Sequence, residues 1–318
     1  MQYILSLSYG KDSIACLEAI RLLKLPLDRI IHAEVWATDT IPADLPPMVE
    51  FKAKADEIIK KRYGLTVEHI AATRERERLS YEKQFYTLRF NKKINGECIY
   101  GFPMLRGAWC NSKLKMQPLN SIRKANLREN VLSHSYPKGE HEARNDKRIP
   151  RCNGCEMVSE AQGKLFSQSS LAQGANTNIV QYLGIAADEP ERIKRHTRPG
   201  IILPLVEIGW NEAYCRQWCE ENDLLSPIYT TAARGGCWFC HNQSVDQLRL
   251  LRQNYPDLWK ILLRWDSDSP VSFKPDGRTV HDYDMRFMLE EKGLVPTDRK
   301  FRWNMCKSEN WLDKILEE

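Results

Sequence analysis

The chain has 318 residues, 42% hydrophobic and 28% charged, enough for one large α/β domain with an appendage or for two domains. No run reaches the ~18–20 apolar residues of a membrane span, and Met1-Gln2-Tyr3-Ile4-Leu5-Ser6 lacks the basic and apolar regions of a secretory leader, so a cytoplasmic protein with no membrane partner is expected. The net charge of +5, from 47 basic and 42 acidic residues, is too small to argue for nucleic-acid binding, and the ten cysteines are expected as reduced thiols whose spacing decides their use.

The first hundred residues read as β-loop-α-β-α-β. Gln2 to Ser8 is an apolar run suited to a buried strand. After Ser8-Tyr9-Gly10-Lys11-Asp12-Ser13, the residues Ile14, Leu17, Ile20 and Leu23 recur at helical spacing, with Asp12 or Ser13 as N-cap and Pro26 as the stop. Ile30 to Ala37 is a second strand that ends at Thr38-Asp39-Thr40. Met48, Phe51, Ala55, Ile58 and Ile59 form a second helical stripe, closed by Lys60, Lys61, Arg62 and Gly64. Thr66 to Ala71 is a third strand. Residues 75–105 carry a mixed pattern, and 115–178 are polar, an insertion of about 120–178. Ile179 to Ala186 and Ile201 to Val206 resume the strands, and a helix capped by Asn211 runs to about Glu221. After Gly235-Gly236 the chain becomes helical and aromatic. The alternation predicts an α/β fold with a doubly wound parallel sheet, divided into 1–235 and a helical C-terminal part over 236–318.

Ser6-Leu7-Ser8-Tyr9-Gly10-Lys11-Asp12-Ser13 stands between a strand and a helix. A loop there turns unpaired N–H groups and the positive helix end toward an anion. Gly10 permits close backbone approach, Lys11 adds a cation, and the Ser8 and Ser13 hydroxyls can donate. The Walker A spacing and the G-x-G-x-x-G fingerprint are both absent. A plain capped strand-to-helix turn would use the same residues.

This loop resembles the S-[GF]-G-x-D-S motif of the PP-loop, adenine nucleotide alpha hydrolase-like superfamily, which has a Rossmann-like (HUP-type) sheet. Within it the chain is similar to the phosphoadenosine phosphosulfate (PAPS) reductase family, over most of its length. Thr38-Asp39-Thr40 with Pro46 or Pro47 and Glu50-Phe51 resembles D-T-G-x-x-x-P-E-T-x-x-F, without its glycine. Trp109-Cys110-Asn111-Ser112-Lys113-Leu114-Lys115-Met116-Gln117-Pro118-Leu119 resembles C-C-x-x-R-K-V-E-P-L, and Gly184 to Arg192 resembles G-x-R-x-D-E-S-x-x-R. Leu203-Pro204-Leu205 through Trp210, Ser226-Pro227-Ile228-Tyr229 and Gly236-Cys237-Trp238-Phe239-Cys240 complete the series. The resemblance implies that Ser6, Ser8, Tyr9, Gly10, Lys11, Asp12 and Ser13 hold the phosphates of an adenine nucleotide, with Asp39 and Thr40 at a neighbouring strand end. Asp39 would touch ribose, adenine or Mg²⁺, or simply sit exposed. Lys113, Lys115 and Arg192 are candidate anion contacts or ordinary surface charges.

Cys237-Trp238-Phe239-Cys240 after paired glycines has ligand spacing. The resemblance adds Cys110 as a third ligand of a [4Fe-4S] cluster, but Trp109 replaces the family's first cysteine, so a fourth ligand comes from elsewhere or one iron stays open. Cys152-Asn153-Gly154-Cys155 is a second C-x-x-C; with Cys237 and Cys240 it could form a zinc site instead. Cys16, Cys98, Cys215 and Cys219 read as packing thiols.

Two activities follow from the resemblance. One is adenylation of a substrate by ATP, an ATP pyrophosphatase reaction coupled to sulfur transfer, in which Lys11, Asp12 and Asp39 act and charge stabilisation dominates. Partners would be a sulfur donor protein (a cysteine desulfurase or a thioredoxin-like protein) and tRNA or DNA as acceptor, met by Arg123, Lys124, Arg128, Lys138, Arg144, Lys147, Arg148 and Arg151, though a solvated charged loop accounts for these residues equally well. The other is reduction of PAPS or adenosine phosphosulfate (APS) to sulfite. The family's E-C-G-[LI]-H tail is missing, and Cys306 is the cysteine nearest the end. A non-catalytic nucleotide-binding subunit or sensor is a third reading.

Overall fold

The structure is a computed structural model that describes residues 1–91, 95–103, 108–122, 179–230 and 236–307. Its centre is a five-stranded parallel sheet in the order β3-β2-β1-β8-β9: β1 Gln2–Ser6, β2 Arg29–Glu34, β3 Val67–Ala71, β8 Ile179–Tyr182 and β9 Ile201–Ile202. Two hairpins lie between them in sequence, β4 Thr73–Arg74 with β5 Glu77–Arg78, and β6 Leu88–Asn91 with β7 Gly96–Ile99. They occupy the mixed stretch and leave the central sheet purely parallel.

Strand alternation sorts side chains onto two faces. Leu5 and Ile30 join one core with the apolar stripes of α1 (Lys11–Leu22) and α2 (Pro46–Tyr63). Ile4, Ile31 and Ile179 point the other way, where Leu119 and Ile122 cover them. Those two residues end α4, a helix over 109–122 whose Asn111–Met116 segment is π-helical. With helices on both faces, the sheet is compatible with a doubly wound α/β fold. The strand order reverses between β1 and β8, both of which leave the sheet at the same edge.

Local chemistry explains most boundaries. Helix α2 starts on Pro46 and Pro47, where the missing amides cost nothing, and stops at Gly64, whose φ of 72° only glycine adopts freely. Helix α1 ends at Leu22, four residues before Pro26, and its N-cap is Gly10, not Asp12 or Ser13; no side chain caps it. The stretch 201–206 is only half a strand: Pro204 cannot donate to a ladder and instead opens the short helix α6, Pro204–Ile208. Helix α7, Glu212–Glu221, begins as expected, with the Asn211 side chain accepting from the Tyr214 amide at 2.8 Å. Helix α5, Pro190–His196, carries Arg192.

A second core forms beyond the C-terminal ends of β1 and β2. It joins residues 35–43, helix α3 (Tyr81–Phe85) and α4 to the C-terminal helices α8 (Val245–Asn254), α9 (Pro256–Asp268) and α10 (Val280–Glu291). Trp238 and Trp265 stack at its centre, 5.6 Å apart and both fully buried, so the C-terminal helices share one apolar interior with segments of the first hundred residues. Among the described residues no helix is long and apolar enough to cross a membrane.

Candidate functional site

A cavity of about 730 Å³ opens where the strand order reverses, at the C-terminal ends of β1 and β2. This is where α/β sheets place ligands, because neighbouring loops diverge there. Ser6, Ser8, Tyr9, Gly10, Lys11, Asp12 and Ser13 all line it, as does Arg192. The loop is held by its own hydroxyls: Ser13 Oγ accepts from the Ser8 amide at 3.2 Å and from Ser8 Oγ at 3.0 Å, and donates to the Gly10 carbonyl at 2.9 Å. The first-turn amides of α1 have no carbonyl partner inside the helix. Lys11 N–H donates to the Tyr229 hydroxyl at 3.1 Å, an oxygen that sits where an anion's oxygen would be welcome.

Tyr9 holds a left-handed φ of 56°, unfavourable for an aromatic residue. Its ring turns inward, fully buried, and its hydroxyl meets Asp56 and His69. Burial, then the hydrogen bond and charge of Asp56, raise the phenol far above its ordinary value, so it stays a donor. Gly184 supports the loop from beneath. A Cβ there would lie 2.6 Å from both the Asp12 carbonyl oxygen and the Ser13 Cα, so only glycine lets the segment after β8 approach the first turn of α1 this closely.

Lys11 is only 11% exposed and pairs with Asp12 at 2.9 Å and Glu212 at 3.0 Å. Burial opposes its charge, but the hydrogen bonds to Asp12 and Glu212 prevail and its pKa rises. Burial pushes the Asp12 carboxyl upward against the pull of Lys11. The ligand atoms of Asp12, Glu189 and Glu212 lie within 4.8 Å of one another, an oxygen set of the kind hard cations accept; Arg192 is tied to Glu189 at 2.6 Å.

Three further polar residues line the same cavity and were not singled out from sequence: His32, Asp44 and Lys52. Lys52 bonds Asp44 at 2.5 Å and His32 Nε2 at 2.8 Å. Burial and the Lys52 charge lower the His32 pKa to about 3, so a neutral ring donates from Nδ1 to the Leu7 carbonyl at 2.9 Å. A signal existed: Lys52 lies on the buried stripe of α2 with Met48, Ala55 and Ile59.

Asp39 and Thr40 are not brought to this cavity. Strand β2 ends at Glu34, and Asp39 falls in the turn beyond, 59% exposed, with its carboxylate 3.1 Å from Lys83. Asp44, five residues on, takes the cavity wall. Lys113 is exposed and also outside the lining, whereas Lys115 is part of it; the π-helical turn buries Leu114 and turns Lys115 to the cavity.

Gly236 and Cys237 complete the wall. The C-x-x-C turn is anchored on both sides: the Trp238 amide donates to Ala43 O at 2.9 Å and its indole to Pro42 O at 3.0 Å, while Lys274 donates to the His241 and Gln243 carbonyls at 2.6 Å. Burial pushes the Cys237 thiol up to about 12, with Lys115 drawing it back. Burial and Cys240 raise Cys110. Trp109 packs 4.9 Å from Tyr81 and donates to Gly101 O. Cys16, Cys215 and Cys219 are fully buried in the first core, as packing thiols should be. Cys306 packs against Leu289, Val295 and Phe301, outside the cavity lining. Cys152, Cys155, the basic residues of the insertion and Gly235 lie outside the described residues.

No family model, curated protein or solved structure matches this chain.

Proposed function

We propose that the chain is a PP-loop enzyme of the PAPS reductase type that uses ATP to adenylate a substrate and couples this to sulfur transfer. The observation that carries the reading is that one cavity is walled both by the loop Ser8–Ser13 at the head of α1 and by Cys237 of the C-x-x-C turn. An adenylate bound by its phosphates at α1 would lie in the same enclosure as thiol-held chemistry. The HUP-type form of the doubly wound sheet belongs to this reading.

The loop amides and Lys11 would stabilise charge that develops on phosphate oxygens. Asp12 and Glu212 would hold Lys11 in place until phosphate competes for it. Mg²⁺ carried on the phosphates would find oxygen ligands at Asp12, Glu189 and Glu212, not at Asp39.

An iron–sulfur cluster would be held by Cys110, Cys237 and Cys240. Cys237 and Cys240 stand two residues apart in an anchored turn, and Cys110 and Cys240 bear on one another electrostatically, which suits thiols that share one centre. Three protein ligands would leave one iron open to a sulfur atom. Against sulfonucleotide reduction stands Cys306, which burial holds above its ordinary thiol value and which faces a core, not the cavity.

The test is anaerobic purification followed by iron and acid-labile sulfide analysis and ATP–pyrophosphate exchange. Iron with exchange is expected. Sulfite released from PAPS or APS with a thiol donor, without exchange, would replace this reading with the reductase; nucleotide binding with neither reaction would leave a sensor.

A further inference from the structure

Buried polar groups in proteins almost always have partners, and an exception points to something the protein alone does not supply. Tyr81 is such an exception. Its side chain is 1% exposed and its hydroxyl has no hydrogen-bond partner among the described residues. The residue is held from several sides. Ser80 caps α3, its Oγ accepting from the Lys83 amide, and the Tyr81 amide donates to Trp36 O at 2.7 Å. The ring is wedged between Phe239 at 4.2 Å, Trp109 at 4.9 Å and Trp265 at 5.1 Å. Two of these neighbours immediately precede Cys240 and Cys110 in the chain, and the sulfurs of Cys110, Cys237 and Cys240 are near enough to bear on the phenol.

A phenol is an O–H donor, and burial keeps this one protonated. Its ring packs on the residues that precede Cys110 and Cys240, and its hydroxyl bonds to no thiol, so a group held by these cysteines would supply the acceptor it lacks. We propose that Tyr81 is a positioning residue for the group held by Cys110, Cys237 and Cys240, its hydroxyl donating a hydrogen bond to a sulfide of an iron–sulfur cluster. This rests on the cluster assignment above. Such bonds neutralise charge on the sulfurs and ease reduction, which makes them one of a protein's main means of setting a cluster's potential.

The argument predicts effects of opposite sign with and without the group. In metal-free protein the hydroxyl is a buried donor with nothing to bind, so Tyr81→Phe should raise the melting temperature. In cluster-loaded protein the same substitution should remove a bond, lower the melting temperature and disfavour the reduced cluster about tenfold, a fall of about 59 mV for one electron. Tyr86→Phe, which also removes a phenol bonded outside the cluster region (to Asp268), should leave the potential unchanged in loaded protein. The measurements are thermal unfolding of apo and anaerobically loaded full-length chains and a redox titration followed by absorbance and electron paramagnetic resonance. A Tyr81→Phe variant less stable than wild type without metal, or equal to it in potential when loaded, overturns the proposal. Wild type that takes up no iron overturns the cluster assignment and this inference with it; wild type that loads iron while Tyr81→Phe shows no sign reversal overturns the inference alone.

Discussion

Replacing Gly184 by alanine tests whether the head of α1 is held where the cavity needs it. The added Cβ would sit 2.6 Å from Asp12 O and Ser13 Cα and 2.8 Å from the Asp12 carbonyl carbon. Comfortable carbon contacts are about 3.5–4.0 Å, so about 1 Å of relief is required. All three atoms are backbone in the first turn of a helix, so no side chain can rotate away and α1 must shift against the segment that follows β8. Overpacking of this kind costs about 1–3 kcal/mol. At ~2.1 cal/mol/K per residue, a chain of this length has an unfolding entropy of about 0.7 kcal/mol/K, so the melting temperature should fall by about 1.5–4.5 °C. An ångström of misplacement in the turn proposed to hold the phosphates should weaken ATP binding at least about tenfold. Gly236→Ala is the control: it lines the same cavity, yet its added Cβ meets nothing within 4 Å. Differential scanning calorimetry and isothermal titration with ATP read both effects. A Gly184→Ala protein that melts and binds as wild type does, or a Gly236→Ala protein equally impaired, would refute the reasoning.

His32 should make the fold acid-sensitive. Its folded pKa, about 3, lies below the ~6.5 of an unfolded histidine, so the unfolded chain takes up a proton that the native site refuses, and stability is lost as pH falls from about 6.5 toward 3. At pH 5 this amounts to about 2 kcal/mol; urea unfolding of His32→Gln should show a correspondingly shallower loss between pH 7 and 5, and an unchanged slope would contradict the assignment. Lys11→Met should weaken ATP binding about tenfold or more, whereas Asp39→Ala, with its carboxylate on Lys83 outside the cavity, should stay within about twofold of wild type by titration calorimetry. Cys237→Ser should abolish iron retention in anaerobic preparations while Cys306→Ser keeps it; equal iron in both would remove Cys237 from the ligand set.

How much of this was legible in the sequence depended on whether a residue's role was local. The β-loop-α unit, the parallel sheet and the Asn211 cap follow from short-range patterns, and the chain obeys them because strand alternation, helical stripes and capping need only neighbours. The loop 6–13 could be placed at a strand end for the same reason. Asp39 was misplaced because β2 stops at Glu34, and the irregular turn that follows has no period by which to say which carboxylate faces inward; Asp44 does. Lys52 left a trace, a charge on a buried stripe, but its partners His32 and Asp44 come from a different strand and a loop.

By itself, then, the sequence determined the elements, the strand-to-helix loop with its glycine and lysine, and the two thiols held two residues apart. Tertiary structure alone decided that Cys110 approaches Cys237 and Cys240, that Tyr81 is enclosed beside them without a partner, and that Gly184 underlies the turn at Lys11. These relations join residues from 29 to 173 positions apart. Packing and desolvation fix which polar groups end up sharing a cavity, and neither is written in any local window of the chain.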